Sequence, residues 1–263
     1  MARACFDYSK TLEEQIALVI PSRGRAHNVE RMEALLPGAS WAVPTDEVDA
    51  YRDAGAATVI GEPKAFSSMA AKRQWILSAF EAPVVFQCDD DLQHVLCLVG
   101  RKPRKVTEPE AIRAIIHQAA VCALDAGIVG FGFNRNPKPM QFKPHDFIGM
   151  TAPLCAAFGI TEPGKKWFDH SLISREDVDM TLTMLLKRRI VWADNRFYFH
   201  FGDTWSGDGG LQLVRTKKRD EADVARVARK WGANVSLGGG NRNAQWATKK
   251  RGAMSIRVPR RIT

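Results

Sequence analysis

At 263 residues and 45% apolar content, the chain is long enough for one large core, or for one domain with an appendage. It has no run of 18 apolar residues, which argues against a membrane span, and its first residues lack a signal-peptide pattern; the odd count of cysteines in apolar surroundings is what leads to the expectation of a cytoplasmic protein. The net charge of +9 is concentrated: residues 224–263 hold ten Lys/Arg and no Asp or Glu, while residues 1–223 hold 28 basic and 29 acidic side chains.

In chain order, residues 16–20 read as a buried strand closed by Pro21. Ser22-Arg23-Gly24-Arg25 follows, where Ser22 and Gly24 let the backbone approach a ligand. Helix is expected over 28–36, strand over 41–43, helix over 46–54 and strand over 57–60. A strong helix over 67–80 carries Met69, Trp75, Ile76, Leu77 and Phe80 as apolar anchors around Lys72 and Arg73. Strand 84–88 then ends in Asp89-Asp90-Asp91. Beyond it come a strand at 95–99, the basic loop 102–105, a helix over 108–125 with Pro109 in its first turn, and a strand over 127–133. Loop 134–139 is polar and basic. Residues 147–158 read as strand-rich, ending before Gly159, and 163–166 as a charged turn. Ser174 to Met180 opens a helix, and 197–201 is a strand. Strands alternating with helices predict an α/β domain with a mainly parallel sheet.

The last forty residues form a basic appendage, so the expected division is 1–215 and 216–263. Arg226, Arg229 and Lys230 fall at helical spacing. Arg242, Lys249, Lys250, Arg251, Arg257, Arg260 and Arg261 follow, with Trp231 and Trp246 interleaved. Such clusters suit a polyanion, with cations on phosphates and Trp on an exposed base; a membrane surface or a solvated tail would carry a similar charge run. Gly238-Gly239-Gly240 and the alternation of Met254, Ile256 and Val258 point to a small folded unit. The five cysteines (5, 88, 97, 122 and 155) show no CxxC pairing and read as reduced thiols.

Three consecutive carboxylates repel one another unless something positive sits on them. Hard cations such as Mg²⁺ or Mn²⁺ take oxygen ligands, and open α/β sheets bind ligands at the carboxyl ends of their strands. Asp91 is the first-choice ligand and Asp89 the second; a solvated acidic turn is the alternative.

Taken together, strand-Pro21-Ser22-Arg23, the helix with Ala71-Lys72-Arg73-Gln74 and the strand ending in Asp89-Asp90-Asp91 resemble a nucleotide-sugar glycosyltransferase of the GT-A fold. That implies a Rossmann-like, mostly parallel central sheet flanked by helices. Ser174 to Met180 resembles the family's acidic motif, which supplies a catalytic base in inverting enzymes. Phe197-Tyr198-Phe199-His200-Phe201 resembles the strand that brings a late His to the metal. With Phe201 to Ser206 added, the likeness narrows to the phage glycosyltransferases encoded beside TET-like dioxygenases, which glycosylate hydroxymethylated pyrimidines in DNA. The resemblance implies a UDP-sugar donor (UDP-glucose or UDP-GlcNAc), Mn²⁺ or Mg²⁺, and transfer with inversion to 5-hydroxymethylcytosine in DNA, inside an infected bacterial host.

By that resemblance the Pro21-Ser22-Arg23 loop, with Arg25, meets the nucleotide, and Lys72 or Arg73 faces the base or diphosphate. Solvent is the alternative direction for either one, and Arg73 is favoured for the ligand by a small margin. Asp89 and Asp91 hold the metal, and Asp90 reaches the ribose or sugar hydroxyls. His200 completes the metal shell, or is a core residue or an acceptor contact; His170 is a weaker candidate. Asp177 is the base, with Glu176 and Asp179 beside it; helix-dipole complementation is the bland reading of all three. Two alternatives stay open: a transferase for a surface glycan or protein, and a non-catalytic nucleic-acid-binding relative.

Overall fold

The computed structural model describes residues 7, 9–63, 66–139, 142–202, 216–237 and 254–256. A short helix α1 (Leu12–Gln15), closed by a capping box between Thr11 and Glu14, leads directly into β1 (Ile16–Pro21). There follow α2 (Val29–Leu35), β2 (Ser40–Pro44), α3 (Val48–Asp53), β3 (Thr58–Glu62), α4 (Met69–Ala79) and β4 (Val84–Cys88). The second half comprises β5 (Leu92–Cys97), β6 (Arg104–Val106), α5 (Pro109–Asp125), β7 (Gly130–Asn134), β8 (Ile148–Gly149), β9 (Ala157–Ile160), α6 (Glu176–Arg188) and β10 (Trp192–Phe201). The chain ends in α7 (Lys217–Trp231), β11 (Val235–Leu237) and β12 (Met254–Ile256).

Ten strands make one sheet in the order β3-β2-β1-β4-β9-β7-β10-β5-β6, with β8 paired to β10 off this path. The β3-β2-β1-β4 half is parallel throughout, as successive right-handed crossovers dictate. β9 is antiparallel to both β4 and β7, and β5 is antiparallel to β10 and β6. This is the expected α/β class, a mostly parallel central sheet flanked by helices, with reversed strands confined to its later half.

Alternation along the strands sends side chains into two layers. On one face Phe86, Phe131, Val95 and Phe199 pack with α2 and α5. On the other Val85, Phe158 and Ile160 pack with Ile76 and Leu77 of α4 and Met180, Met184 and Leu185 of α6. A third cluster joins α6 to α7 through Leu172, Val178, Leu182, Val227 and Val235, with Trp231 and Ile256 against it.

The region expected as strand-rich over 147–158 is instead two short strands, and β9 continues through Gly159 to Ile160. The reason is a close approach: a Cβ on Gly159 would stand 2.1 Å from the Phe131 ring. The strand expected at 95–99 begins earlier, directly after the acidic triplet. Among the described residues, no helix is long and apolar enough to cross a membrane.

Candidate active site

β4 is buried at all five positions and delivers the acidic triplet at its carboxyl end. The three aspartates meet different surroundings. Asp89 Oδ1 accepts from Arg73 Nη2 at 2.6 Å. Asp90 is tied to the loop after β1: Oδ1 accepts from Arg25 Nη1 at 2.8 Å and Oδ2 from the Ser22 hydroxyl. Ser22 Oγ also lies 2.6 Å from Tyr51 Oη, which accepts the Arg25 N–H at 3.0 Å. Burial pushes the Tyr51 phenol up to about 12, so this network stays neutral at Tyr51. With both oxygens engaged inside the protein, Asp90 positions the loop, and the ribose or sugar contact expected of it is not the role this geometry shows. Asp91 has only a distant cation, Arg25 Nη1 at 3.9 Å. Burial, then Asp89 and Asp90, push its carboxyl up to about 7.

α4 is capped by Ser68, whose side chain accepts the Ala71 N–H. Lys72 and Arg73 are both buried, so neither takes the solvent-facing alternative. α4 packs on one face of the sheet, and the two neighbours find different partners there. Lys72 Nζ donates to the Ser22 carbonyl at 2.5 Å and pairs with Glu62, buttressing the loop from below. Burial lowers the Lys72 pKa, with Glu62 opposing. Arg73 bridges Asp89 and Glu176, whose Oε1 lies 3.4 Å from its Nε, and stands 5.1 Å over the Phe158 ring. Burial alone would lower the Arg73 pKa, yet Asp89 and Glu176 raise it. Asp89 and Glu176 are themselves pushed up, chiefly by burial, Glu176 to about 7.

The acidic run that opens α6 divides in the same way. Glu176 faces Arg73. Asp179, 1% exposed, accepts from Lys230 at 2.9 Å and from Trp231 Nε1 at 2.8 Å. Asp177 is half-buried; its Oδ1 accepts the Val178 N–H at 2.8 Å and it lies beside the Cys155 thiol. Among the described residues no cation forms an ion pair with Asp177, and its charge reaches Asp89 and Arg73. Helix-dipole complementation therefore does not account for the three acids as a set.

Pro21 and Ser22 are buried, and Arg23 and Arg25 are half-buried beside them. The loop turns at Gly24, whose φ of 64° favours glycine and whose N–H donates to Glu47 Oε2 at 2.6 Å. His200 packs with other rings. Its Nδ1 is 3.2 Å from Tyr198 Oη and its ring 4.5 Å from that of His94, directly opposite on β5. His170 is exposed. Among the described residues, no group of three or more His, Cys, Asp or Glu is arranged to hold a metal ion.

Arg242, Lys249, Lys250, Arg251, Arg257, Arg260 and Arg261 lie outside the described residues, as do Trp246 and the 203–206 segment. Two cations expected to serve a polyanion do other work: Arg226 donates to the Ser171 carbonyl, and Lys230 pairs with Asp169 and Asp179. Trp231 is pinned to Asp179 rather than presented to a base. Sequence reasoning missed Tyr51, Glu62 and Cys155, which lie far in sequence from their partners and in no motif.

The mouth of the site thus holds five carboxylates (Asp89, Asp90, Asp91, Glu176 and Asp177) against two guanidiniums (Arg25 and Arg73). Asp91 has only the distant Arg25 against it, and Arg73 engages only Oδ1 of Asp89. These are hard oxygen donors short of positive charge, and they fit a divalent cation such as Mn²⁺ or Mg²⁺.

The profile of one protein family, TET-associated glycosyltransferase, matches residues 16–210. No curated protein matches the sequence. Among solved structures, S. aureus TarS 1–349 in complex with UDP-GlcNAc is similar at 13% identity and TM-score 0.48, over 82% of this chain and 66% of that one. Glucosyl-3-phosphoglycerate synthase from Mycobacterium tuberculosis, in complex with Mn²⁺, UDP and glucosyl-3-phosphoglycerate, is similar at 11% and 0.48, over 90% and 91%. Mannosyltransferase PcManGT from Pyrobaculum calidifontis, with GDP-Man and Mn²⁺, is similar at 10% and 0.46, over 81% and 60%. At such identities nothing about this chain's chemistry follows from these three.

Proposed function

The chain belongs to the TET-associated glycosyltransferases, and on that premise we propose that it transfers a sugar from a UDP-sugar to the hydroxyl of 5-hydroxymethylcytosine in DNA. The observation that carries the reading is the pairing of an acidic Asp91–Asp89 edge, where Asp91 has only Arg25 at 3.9 Å against it, with an Asp177 that has no ion-pair partner among the described residues. One is suited to a cation and the other to a proton.

Asp91 and Asp89 would hold Mn²⁺ or Mg²⁺, which when bound neutralises charge on the departing diphosphate as a Lewis acid. Asp177 accepts the proton of the hydroxymethyl group while its oxygen attacks the anomeric carbon. The new C–O bond forms as the bond to the β-phosphate oxygen breaks, UDP leaves, and the anomeric configuration inverts. Pro21, Ser22, Arg23 and Arg25 line the nucleotide side, with Arg23 as the available cation. Arg73 holds Asp89 and Glu176 in place and so spaces the donor edge from α6. His200, engaged with Tyr198 and His94, is assigned to the acceptor side rather than to the cation. The 5-position of a pyrimidine projects into the major groove, which lets the hydroxyl be reached with or without flipping the base. The residues expected to contact nucleic acid in the tail, Arg242, Lys249, Lys250, Arg251, Arg257 and Arg260, supply further charge.

Mass spectrometry of nucleosides from hydroxymethylcytosine DNA, incubated with the protein, Mn²⁺ and a panel of sugar nucleotides, tests the reading. A gain of one sugar residue on hydroxymethylcytosine is the expected result. Turnover only on a glycan or protein acceptor would overturn it.

A further inference from the structure

The basic run at residues 101–105 takes no part in the site described above. It forms the turn and second strand of the β5–β6 hairpin, and β6 is the last strand of the large sheet. Arg101, Lys102, Arg104 and Lys105 are all exposed, and among the described residues none of the four has an ion pair or a side-chain hydrogen bond. This sets them apart from Lys72, Arg73, Arg188, Arg196 and Lys230, each of which has a carboxylate partner. The acids nearest in sequence, Glu108 and Glu110, stand at the start of α5, and Glu108 is bonded to Thr107.

The register of the last three strands places Lys105 beside a row of rings, while Arg104 turns to the opposite face. Lys105 stands opposite Leu96, Leu96 opposite Tyr198, and His94 opposite His200. Directly paired residues, and residues two apart, share a face of a sheet. One face therefore carries Lys105, Leu96, His94, Tyr198 and His200. The residues between them, Val95 and Phe199, turn the other way into the core with α5. The ring-bearing face lies on the side of the sheet where α4 and α6 pack, the side to which Asp177 belongs. Neither Leu96 nor Tyr198 joins any of the three apolar clusters, and the five residues are half-buried or exposed.

This face also begins at the reaction centre. β5 starts immediately after Asp91, and the Gly202 N–H donates to the Asp91 carbonyl at 3.2 Å where β10 ends beside it. At about 3.4 Å per residue, the Leu96–Tyr198 row stands about 17 Å from Asp91. The strip is thus a few nucleotides long.

The geometry points to this face as the surface on which the acceptor nucleic acid lies. Its phosphates run over Lys105 and, at the turn of the hairpin, Arg101 and Lys102, and bases near the target rest against Tyr198, His200 and His94. The inference rests on the nucleic-acid acceptor proposed above and gives that acceptor a path into the mouth. Phosphate contacts set register, while ring stacking accepts any base, so the surface positions DNA without reading its sequence. Of the exposed large apolar side chains only Val99 lies on this hairpin, too little to anchor it in a lipid surface.

The test combines Arg101→Glu, Lys102→Glu and Lys105→Glu in the full chain, with unchanged melting temperature as the control for folding. Affinity for hydroxymethylcytosine duplex is measured across a salt series, beside vesicles containing phosphatidylserine. The expected result is a drop of about tenfold or more at low salt, and a slope of log K against log salt flatter by about 0.9 for each phosphate no longer neutralised. UDP-sugar binding should not change. A second variant, His94→Ala, should lower kcat/KM for DNA by roughly fivefold or more while the donor KM stays fixed. If the wild type glycosylates hydroxymethylcytosine and the triple variant keeps both affinity and slope, this surface is wrong and the proposed function stands. Loss of vesicle binding alone, with DNA binding intact, also overturns it. If the wild type neither binds nor modifies DNA, the proposed function falls and this surface with it.

Discussion

Asp177 differs from its helix neighbours in what it lacks: Glu176 faces Arg73 and Asp179 faces Lys230, while no described cation forms an ion pair with Asp177. An acid in that position accepts a proton, and Asp177→Asn keeps its shape while removing that capacity. Turnover should fall by roughly a hundredfold or more, the usual scale for a lost general base. UDP-sugar and Mn²⁺ binding should stay near wild type in calorimetry; collapse of nucleotide binding would place Asp177 in the donor site instead. Asp91 yields a prediction about pH. Its carboxyl is pushed up to about 7, and that of Glu176 likewise, whereas both titrate near pH 4 when unfolded. Between those values the folded protein binds more protons than the unfolded chain, so stability falls as pH rises through that window. Metal-free wild type should therefore lose more melting temperature than Asp91→Asn between about pH 5 and about pH 8. Mn²⁺ at the higher pH should recover the loss in wild type only. Parallel curves for the two proteins, with equal Mn²⁺ responses, would refute the cation assignment at Asp91. The triplet itself was legible in the sequence, because three carboxylates after an apolar strand form a local pattern. Its division of labour was not, because Arg25, Ser22 and Arg73 reach it from distant parts of the chain.

Elements were legible where the signal was periodic and obscure where a neighbour decided. α4, α5 and the opening of α6 carry apolar spacing, and α4 adds the Ser68 cap. β9 runs through Gly159 because the Phe131 ring needs that space, which no local pattern announces. α7 is the clearest case of a tertiary role hidden by composition: its helical spacing is visible, but its cations suggest a polyanion contact. In the structure Lys230 and Trp231 meet Asp179, Arg175 pairs with Asp220 at 2.8 Å, and Asp223 accepts the Ile173 and Ser174 N–H groups. Removing the shared acceptor leaves the Trp231 indole N–H short of its partner in a half-buried seam, while Lys230 keeps only Asp169. Asp179→Ala should cost about 1–3 kcal/mol in urea unfolding. Hydrogen exchange should accelerate in α7 ahead of α4, since α4 has its own ion pairs with Glu62, Asp89 and Glu176. Uniform acceleration across both helices would mean that α7 is not held by this seam.

At the scale of the whole molecule, the charge map and the packing divide the chain at different places. Charge separates a near-neutral body from a basic end at about residue 224, and the expected boundary of 215/216 follows that asymmetry. Packing keeps α7, β11 and β12 against α6, with Val227 fully buried between Leu172, Val178 and Leu182. A fragment ending at residue 215 would uncover those three side chains on α6 and its approach. Burying a Leu or Val side chain contributes about 1.5–3 kcal/mol, and about 1 kcal/mol moves the melting temperature of a chain this size by about 2–4 °C. The fragment should therefore melt at least about 10 °C below the full chain and bind a dye for exposed apolar surface. Reversing Lys249, Lys250 and Arg251 to Glu should leave melting unchanged, because the apolar seam is untouched. If the fragment melts with the full chain, the end is a separable appendage and the α6–α7 seam contributes little. If the fragment melts early and the charge reversal still weakens DNA binding, the same end of the chain serves two purposes: its helix completes the core, and its later cations add to the phosphate contacts of the β5–β6 hairpin.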